Sequence, residues 1–127
     1  MKKLVTFTLL ALMGLSVAGA VVRDAFAIPP FKKEFDAMYV KEGTEFAKKV
    51  EEVKCNVCHV GTNKKDRNAY GEELAKLLDR KTDMNKPAKI KEALKKVEEM
   101  KSVAGDDNSP SFGKLLQEGK LPGGEKS

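Results

Sequence analysis

Tryptophan is absent from this chain, aromatic residues make up 6% of it, and its thiols and imidazoles stop at two cysteines and one histidine. Each shortage excludes something. A structural zinc site takes about four ligands, and Cys55, Cys58 and His59 are the only Cys and His residues available. No stretch alternates apolar and polar residues over a useful length, so no strands are predicted. Internal repeats are missing too. Bases and acids are interspersed instead of forming one basic block, which argues against a nucleic-acid partner. With so few aromatics, a chain of this length would build only a thin core from its own side chains.

What the chain does have is concentrated in Cys55-Asn56-Val57-Cys58-His59. This is C-x-x-C-H, the attachment sequence for a c-type haem. Two thiols one helical turn apart can each add to a vinyl group of one porphyrin. A histidine directly after the second thiol can ligate the iron. A thioredoxin-like redox pair is the competing reading, but that motif expects a βαβ setting, and the flanking sequence here is helical. The reading is therefore one covalent haem c, with Cys55 and Cys58 as anchors and His59 as proximal iron ligand.

Attachment of this kind takes place outside the cytoplasm, and the N-terminus reads as an export signal. Lys2 and Lys3 precede an apolar stretch from Leu4 to Val22, and Ala25-Phe26-Ala27 has the small-x-small form of a cleavage site. The apolar stretch approaches the ~20 residues that span a bilayer, so an uncleaved anchor is the alternative; Arg23, Asp24 and the Ala-Phe-Ala site favour cleavage. The division is a signal peptide at 1–27 and one domain at 28–127, without stable membrane insertion once the signal is cut. The expected location is the periplasm or an equivalent extracytoplasmic compartment. The signal holds Lys2, Lys3, Arg23 and Asp24; removing them from the 24 bases and 19 acids leaves a net charge of +3. Haem propionates would offset most of it.

The remaining pattern is all-α, about five short helices around one covalently bound haem. Phe31, Phe35, Met38 and Tyr39 share a helical face within Phe31 to Lys41, and Gly43 breaks it. Phe46, Val50, Val53 and Val57 mark a second helix that runs straight into the haem motif, so that Cys55 and Cys58 share a face. After the polar loop Gly61 to Asp66, Asn68 is a plausible N-cap for a helix burying Tyr70, Leu74, Leu77 and Leu78. Asp83 to Pro87 reads as a break, and Ile90, Leu94 and Val97 as the next helix, with Ala93, Val97, Met100 and Ala104 as an overlapping stripe. Ser109-Pro110 reads as an N-cap and first helical residue, with Phe112, Leu115 and Leu116 facing inward before Gly119 and Pro122 end the helix.

The ligand opposite His59 decides the chemistry. A second His or a thiolate from this chain is excluded, which leaves a methionine thioether as leading candidate; such a ligand raises the potential. Met38 sits in an aromatic stripe and reads as core, Met84 lies in a polar loop 25 residues after His59, and Met100 ends a helix 41 residues after it. Met100 also reads as a core methionine closing the Ala93–Val97–Ala104 stripe. An iron with an open sixth site is the remaining alternative, and Tyr70 is a lesser distal candidate.

The layout resembles the small class I bacterial cytochromes c: a helix, C-x-x-C-H in the first third of the mature chain, helical segments, a Met-bearing loop and a closing helix. That resemblance implies a late Met ligand before the last helix, here Met100. The segment Cys55 to Gly61, continuing to Arg67-Asn68-Ala69-Tyr70-Gly71, is also similar to small monohaem cytochromes of planctomycetes and anammox bacteria. Some of that group bind haem through His and Cys, form dimers and take up NO or CO. This chain lacks the extra cysteine, so that ligation does not carry over. The helix Phe31 to Lys41 is an addition to the class I layout; it could cover the haem or form a homo- or heterodimer contact. The expected function is an exported one-electron carrier between redox partner proteins, with a binder or sensor of a diatomic gas as the alternative. No acid–base pair suggests an enzyme. Lysine pairs such as Lys64-Lys65 and Lys95-Lys96 read as solvated faces or as charges steering an acidic redox partner.

Overall fold

Helix starts and stops written into the sequence account for most of the architecture. The computed structural model describes residues 29–124, so the predicted signal at 1–27 lies outside the described residues. Six α-helices and one 3-10 turn are found among them: α1 (Pro30–Tyr39), α2 (Glu45–Val53), a 3-10 turn (Lys54–Val57), α3 (Ala69–Leu77), α4 (Arg80–Asp83), α5 (Pro87–Glu98) and α6 (Phe112–Gln117). The described part is all-α. None of its helices is long and apolar enough to cross a membrane.

Pro30 and Pro87 occupy first turns, where the missing N–H leaves no helical bond unmade. Thr44 caps α2 by accepting from the Ala47 N–H at 3.1 Å, and Asn68 caps α3 through the Gly71 N–H at 2.9 Å, as the sequence predicts. Three local expectations fail. First, the second helix does not run into the C-x-x-C-H motif. It ends at Val53, and Lys54 takes a left-handed φ of +51°, an uncommon conformation for a residue with a Cβ. The chain then tightens into the 3-10 turn, where residues three apart eclipse, so Cys55 and Cys58 still fall on one side. Second, Asp83 closes α4 instead of opening a break. That helix has no apolar periodicity to announce it, and Asp79 caps it by accepting from Lys81 and Thr82. Third, α6 starts later than Ser109-Pro110. Ser111 is its N-cap, while Ser109 is buried, donating from its hydroxyl to the Asp106 carbonyl at 2.8 Å. Leu115 and Leu116 are half-buried as a result, and Phe112 carries the burial for α6.

α5 is the central element. α1 lies along it, and α3 and α6 pack on it as well. Ile90, Ala93, Leu94 and Val97 are its buried stripe, each close to fully covered. The scarce aromatics are spent here. Phe35, Tyr70 and Phe112 form a chain of edge-on rings with centroids 5.9 and 5.2 Å apart, and Tyr39 tilts against Phe35 at 5.1 Å. Such pairs add about 0.5–1.5 kcal/mol each beyond their buried area.

Candidate functional site

The 3-10 turn gives the site its shape. Both the Cys58 and the His59 N–H donate to the Cys55 carbonyl, at 3.2 and 3.1 Å, closing a tight loop around the two thiols. The cysteines are unpaired with each other and partly exposed. Cys58 also packs against the core. Burial pushes its thiol up to about 12, a rise that Lys32 on α1 opposes and Cys55 and Asp36 reinforce. Lys32 and Asp36 are themselves an ion pair on α1. α1 therefore lies beside the second thiol.

Beyond His59 the chain turns back on itself. The Val60 N–H donates to the Asp66 carbonyl at 3.1 Å and the Asn68 N–H to the Cys58 carbonyl at 3.0 Å, with His59 opposite Arg67. The same Asp66 carbonyl lies 3.2 Å from His59 Nδ1. A carbonyl can only accept, so Nδ1 carries the proton in this bond. The ring's lone pair is then on Nε2, which is left for another partner. The sequence placed Gly61 to Asp66 in a loop; it gave no hint that a carbonyl of that loop would orient the ring.

Asn68 is the second residue whose role exceeds its prediction. Beyond capping α3, its Nδ2 donates to the carbonyls of Val57 at 2.9 Å and Asn56 at 3.3 Å. Gly71, in the first turn of α3, lies so near that an added Cβ would sit 2.0 Å from the Cys58 carbonyl oxygen. Tyr70 is fully buried, and its hydroxyl has no hydrogen-bond partner. Burial, with Cys58, Tyr39 and Glu98 nearby, holds that hydroxyl far above the ordinary tyrosine range, so it is neutral and a donor. Nearby, the Tyr39 hydroxyl donates to Glu98.

Cys55, Cys58 and His59 are thus brought together. Among the described residues no three His, Cys, Asp or Glu side chains converge as a metal ion would need. Met100 and Met38 pack against the core, and Met84 sits half-buried just past α4. Met100 also lines a surface cleft of about 340 Å³ with Ala69, Glu72, Ala104 and Phe112; Cys55, Cys58 and His59 do not line it. No family profile, curated protein or solved structure matches the chain.

Proposed function

We propose that the chain is an exported monohaem c-type cytochrome that carries one electron between redox partner proteins. The observation that carries this reading is the His59 imidazole, fixed through Nδ1 by the Asp66 carbonyl and left with a free Nε2, directly after two unpaired thiols. Ligating histidines are commonly oriented by just such a bond from the other ring nitrogen, which also makes the ligand more basic. The residues fit the group. A covalently bound haem supplies an iron that cycles between Fe(II) and Fe(III).

The chain's own residues do the rest. Cys55 and Cys58 would each hold the group through one carbon–sulfur bond to a vinyl group, the thiol proton passing to the vinyl carbon that sulfur does not take. Burial keeps the Cys58 thiol neutral at pH 7, so it waits protonated for that addition. His59 would ligate the iron through its free Nε2, and Met100 is the proposed second ligand from this chain. Two ligands held fixed in both oxidation states would suit one-electron transfer and leave an enzyme nothing to act with. The segment 1–27 is proposed as the cleaved export signal, directing the domain at 28–127 to the periplasm or its equivalent.

The unpartnered Tyr70 hydroxyl favours a second reading, in which the sixth site is open and a diatomic gas such as NO or CO accepts a hydrogen bond there. The purified protein decides between them. Its mass should show one covalent haem and a chain starting after Ala27; Cys55→Ala or Cys58→Ala should leave at most one thioether. A low-spin spectrum with a Met-to-iron charge-transfer band supports the carrier, and a high-spin ferrous form that takes CO at once supports the gas binder. A wild-type mass without haem ends both.

A further inference from the structure

Three successive carbonyls, those of Asn56, Val57 and Cys58, project from the end of the 3-10 turn, where a helical turn has no donors left to offer them. All three meet one residue. The Asn68 side-chain N–H₂ serves Asn56 and Val57, and its backbone N–H serves Cys58. Its Oδ1 meanwhile accepts from Gly71 and starts α3. A single side chain therefore ends one element and begins the next. Among the common capping residues only asparagine has both the acceptor and the two donors: Asp, Ser and Thr can cap but cannot supply a pair of N–H groups.

The fit around this side chain is equally close. An added Cβ on Gly71 would strike the Cys58 carbonyl, and one on Gly123 would lie 1.9 Å from Asn68 Nδ2. The chain end thus packs over the clamp. The clamp also reaches the imidazole. Asn68 anchors the returning segment at Cys58, and two residues earlier the same segment presents the Asp66 carbonyl to both the Val60 N–H and His59 Nδ1. Loosening position 68 would let that carbonyl drift from the ring.

We infer that Asn68 is a positioning residue that sets the Cys55–His59 turn and the His59 ring in their ligand-ready form before any prosthetic group arrives. Its purpose rests on the haem reading proposed above; its geometry does not. Preorganisation of this kind decides whether a site binds tightly or is merely present.

The test uses the full chain made with and without haem-attachment machinery, its thiols kept reduced. Asn68→Asp is nearly isosteric and still caps α3, but lacks both side-chain donors; Asn68→Ser is the second variant. Nitrogen-15 spectra at alkaline pH report the His59 tautomer, and amide exchange at Gly71 reports α3. Wild type without haem should show the Nδ1–H tautomer. Both variants should lose that bias while Gly71 stays protected, and covalent haem incorporation should fall about 10-fold, the lower end of what losing an outer-shell partner costs. Variants that keep the tautomer and the haem yield would overturn the role. Loss of Gly71 protection in both would also overturn it, leaving Asn68 a helix cap and nothing more. A lost tautomer bias in a chain that never takes haem would uphold the positioning role and sink the haem reading alone.

Discussion

Tyr70→Phe should stabilise the haem-free chain, although it removes a polar group from the centre of the core. The Tyr70 side chain is fully buried and its hydroxyl meets no acceptor or donor. Leaving such a group unsatisfied costs about 1–3 kcal/mol. Phenylalanine keeps the ring, and with it the edge-on contacts to Phe35 and Phe112. The void left by one oxygen costs a few tenths of a kcal/mol at ~24 cal/mol per Å³. The net gain is about 1–2 kcal/mol, and each kcal/mol is worth roughly 4–8 °C of Tm in a domain near 100 residues. Urea melts of a Cys55→Ser/Cys58→Ser chain, with and without the Tyr70 change, measure it at unchanged m. A loss of stability there would refute the reasoning, because it would mean that the hydroxyl already has a partner. Under the gas-binding reading the sign should reverse in the haem-loaded protein. If the bound group gives Tyr70 an acceptor, Phe should cost about 0.5–1.5 kcal/mol. An equal gain in both forms would show that the prosthetic group leaves the hydroxyl as it found it, and would weigh against the gas-binding reading in particular.

Gly71→Ala adds a methyl that must displace the Cys58 backbone; overpacking of about 1–3 kcal/mol should outweigh the ~1 kcal/mol that alanine gains in a helix, and a more stable variant with normal haem content would contradict the close approach. Asp83 is buried, accepts from the Asp79 N–H at 2.9 Å, and pairs with Lys89 at 2.7 Å. These bonds, the Asp79 one foremost and Lys89 next, hold its carboxyl far below the usual range. A depressed value stabilises the fold above the unfolded pKa of about 3.9 and loses that contribution as pH falls toward the folded value. Asp83→Asn should therefore flatten the acid limb of a urea-midpoint titration from roughly pH 5 to 2, and an unchanged slope would deny Asp83 that role. Met100→Ala should open the sixth site, lower the potential and speed CO binding, with Met84→Ala silent. An unchanged spectrum with a stability loss of up to ~2–5 kcal/mol would return Met100 to the core, and a changed spectrum in the Met84 variant alone would move the ligand there.

The helices that sequence periodicity found are those whose burial is carried by apolar spacing. α5 shows it best: Ile90, Ala93, Leu94 and Val97 fall at helical intervals and all are buried. α3 was legible at its start, where a capping asparagine and an apolar stripe agree. α4 was not, since its four residues are held by Asp79 and Asp83 through polar bonds that leave no periodic trace. The Ser109-Pro110 start failed for a related reason. Ser109 has a cap's chemistry, but its hydroxyl is committed to Asp106, and the neighbouring Ser111 takes the role. Two serines two residues apart cannot be ranked as caps until the loop between α5 and α6 is folded.

The site divides along the same line. The spacing of Cys55, Cys58 and His59 is covalent sequence information, so the three donors were visible at once. What orients them is made of backbone: the Asp66 carbonyl at the His59 ring, the Asn56, Val57 and Cys58 carbonyls gathered by Asn68, and the missing Cβ of Gly71. Every residue type has a carbonyl, so no composition or motif marks the one that will face an imidazole. Asn68 and Gly71 were the only outward signs, and each has a sufficient local explanation, a cap and a helical glycine. Their second roles come from a contact across a hairpin whose turn, Gly61 to Lys65, is exposed throughout. The left-handed Lys54 belongs to this set as well. By ending α2 before Cys55, it frees the motif from the helix and lets the 3-10 turn, the hairpin and α3 meet around one side chain. A continuous helix through Val57 would also have left its last carbonyls without helical partners, so what Lys54 changes is their direction: the turn it makes aims the Asn56, Val57 and Cys58 carbonyls at Asn68.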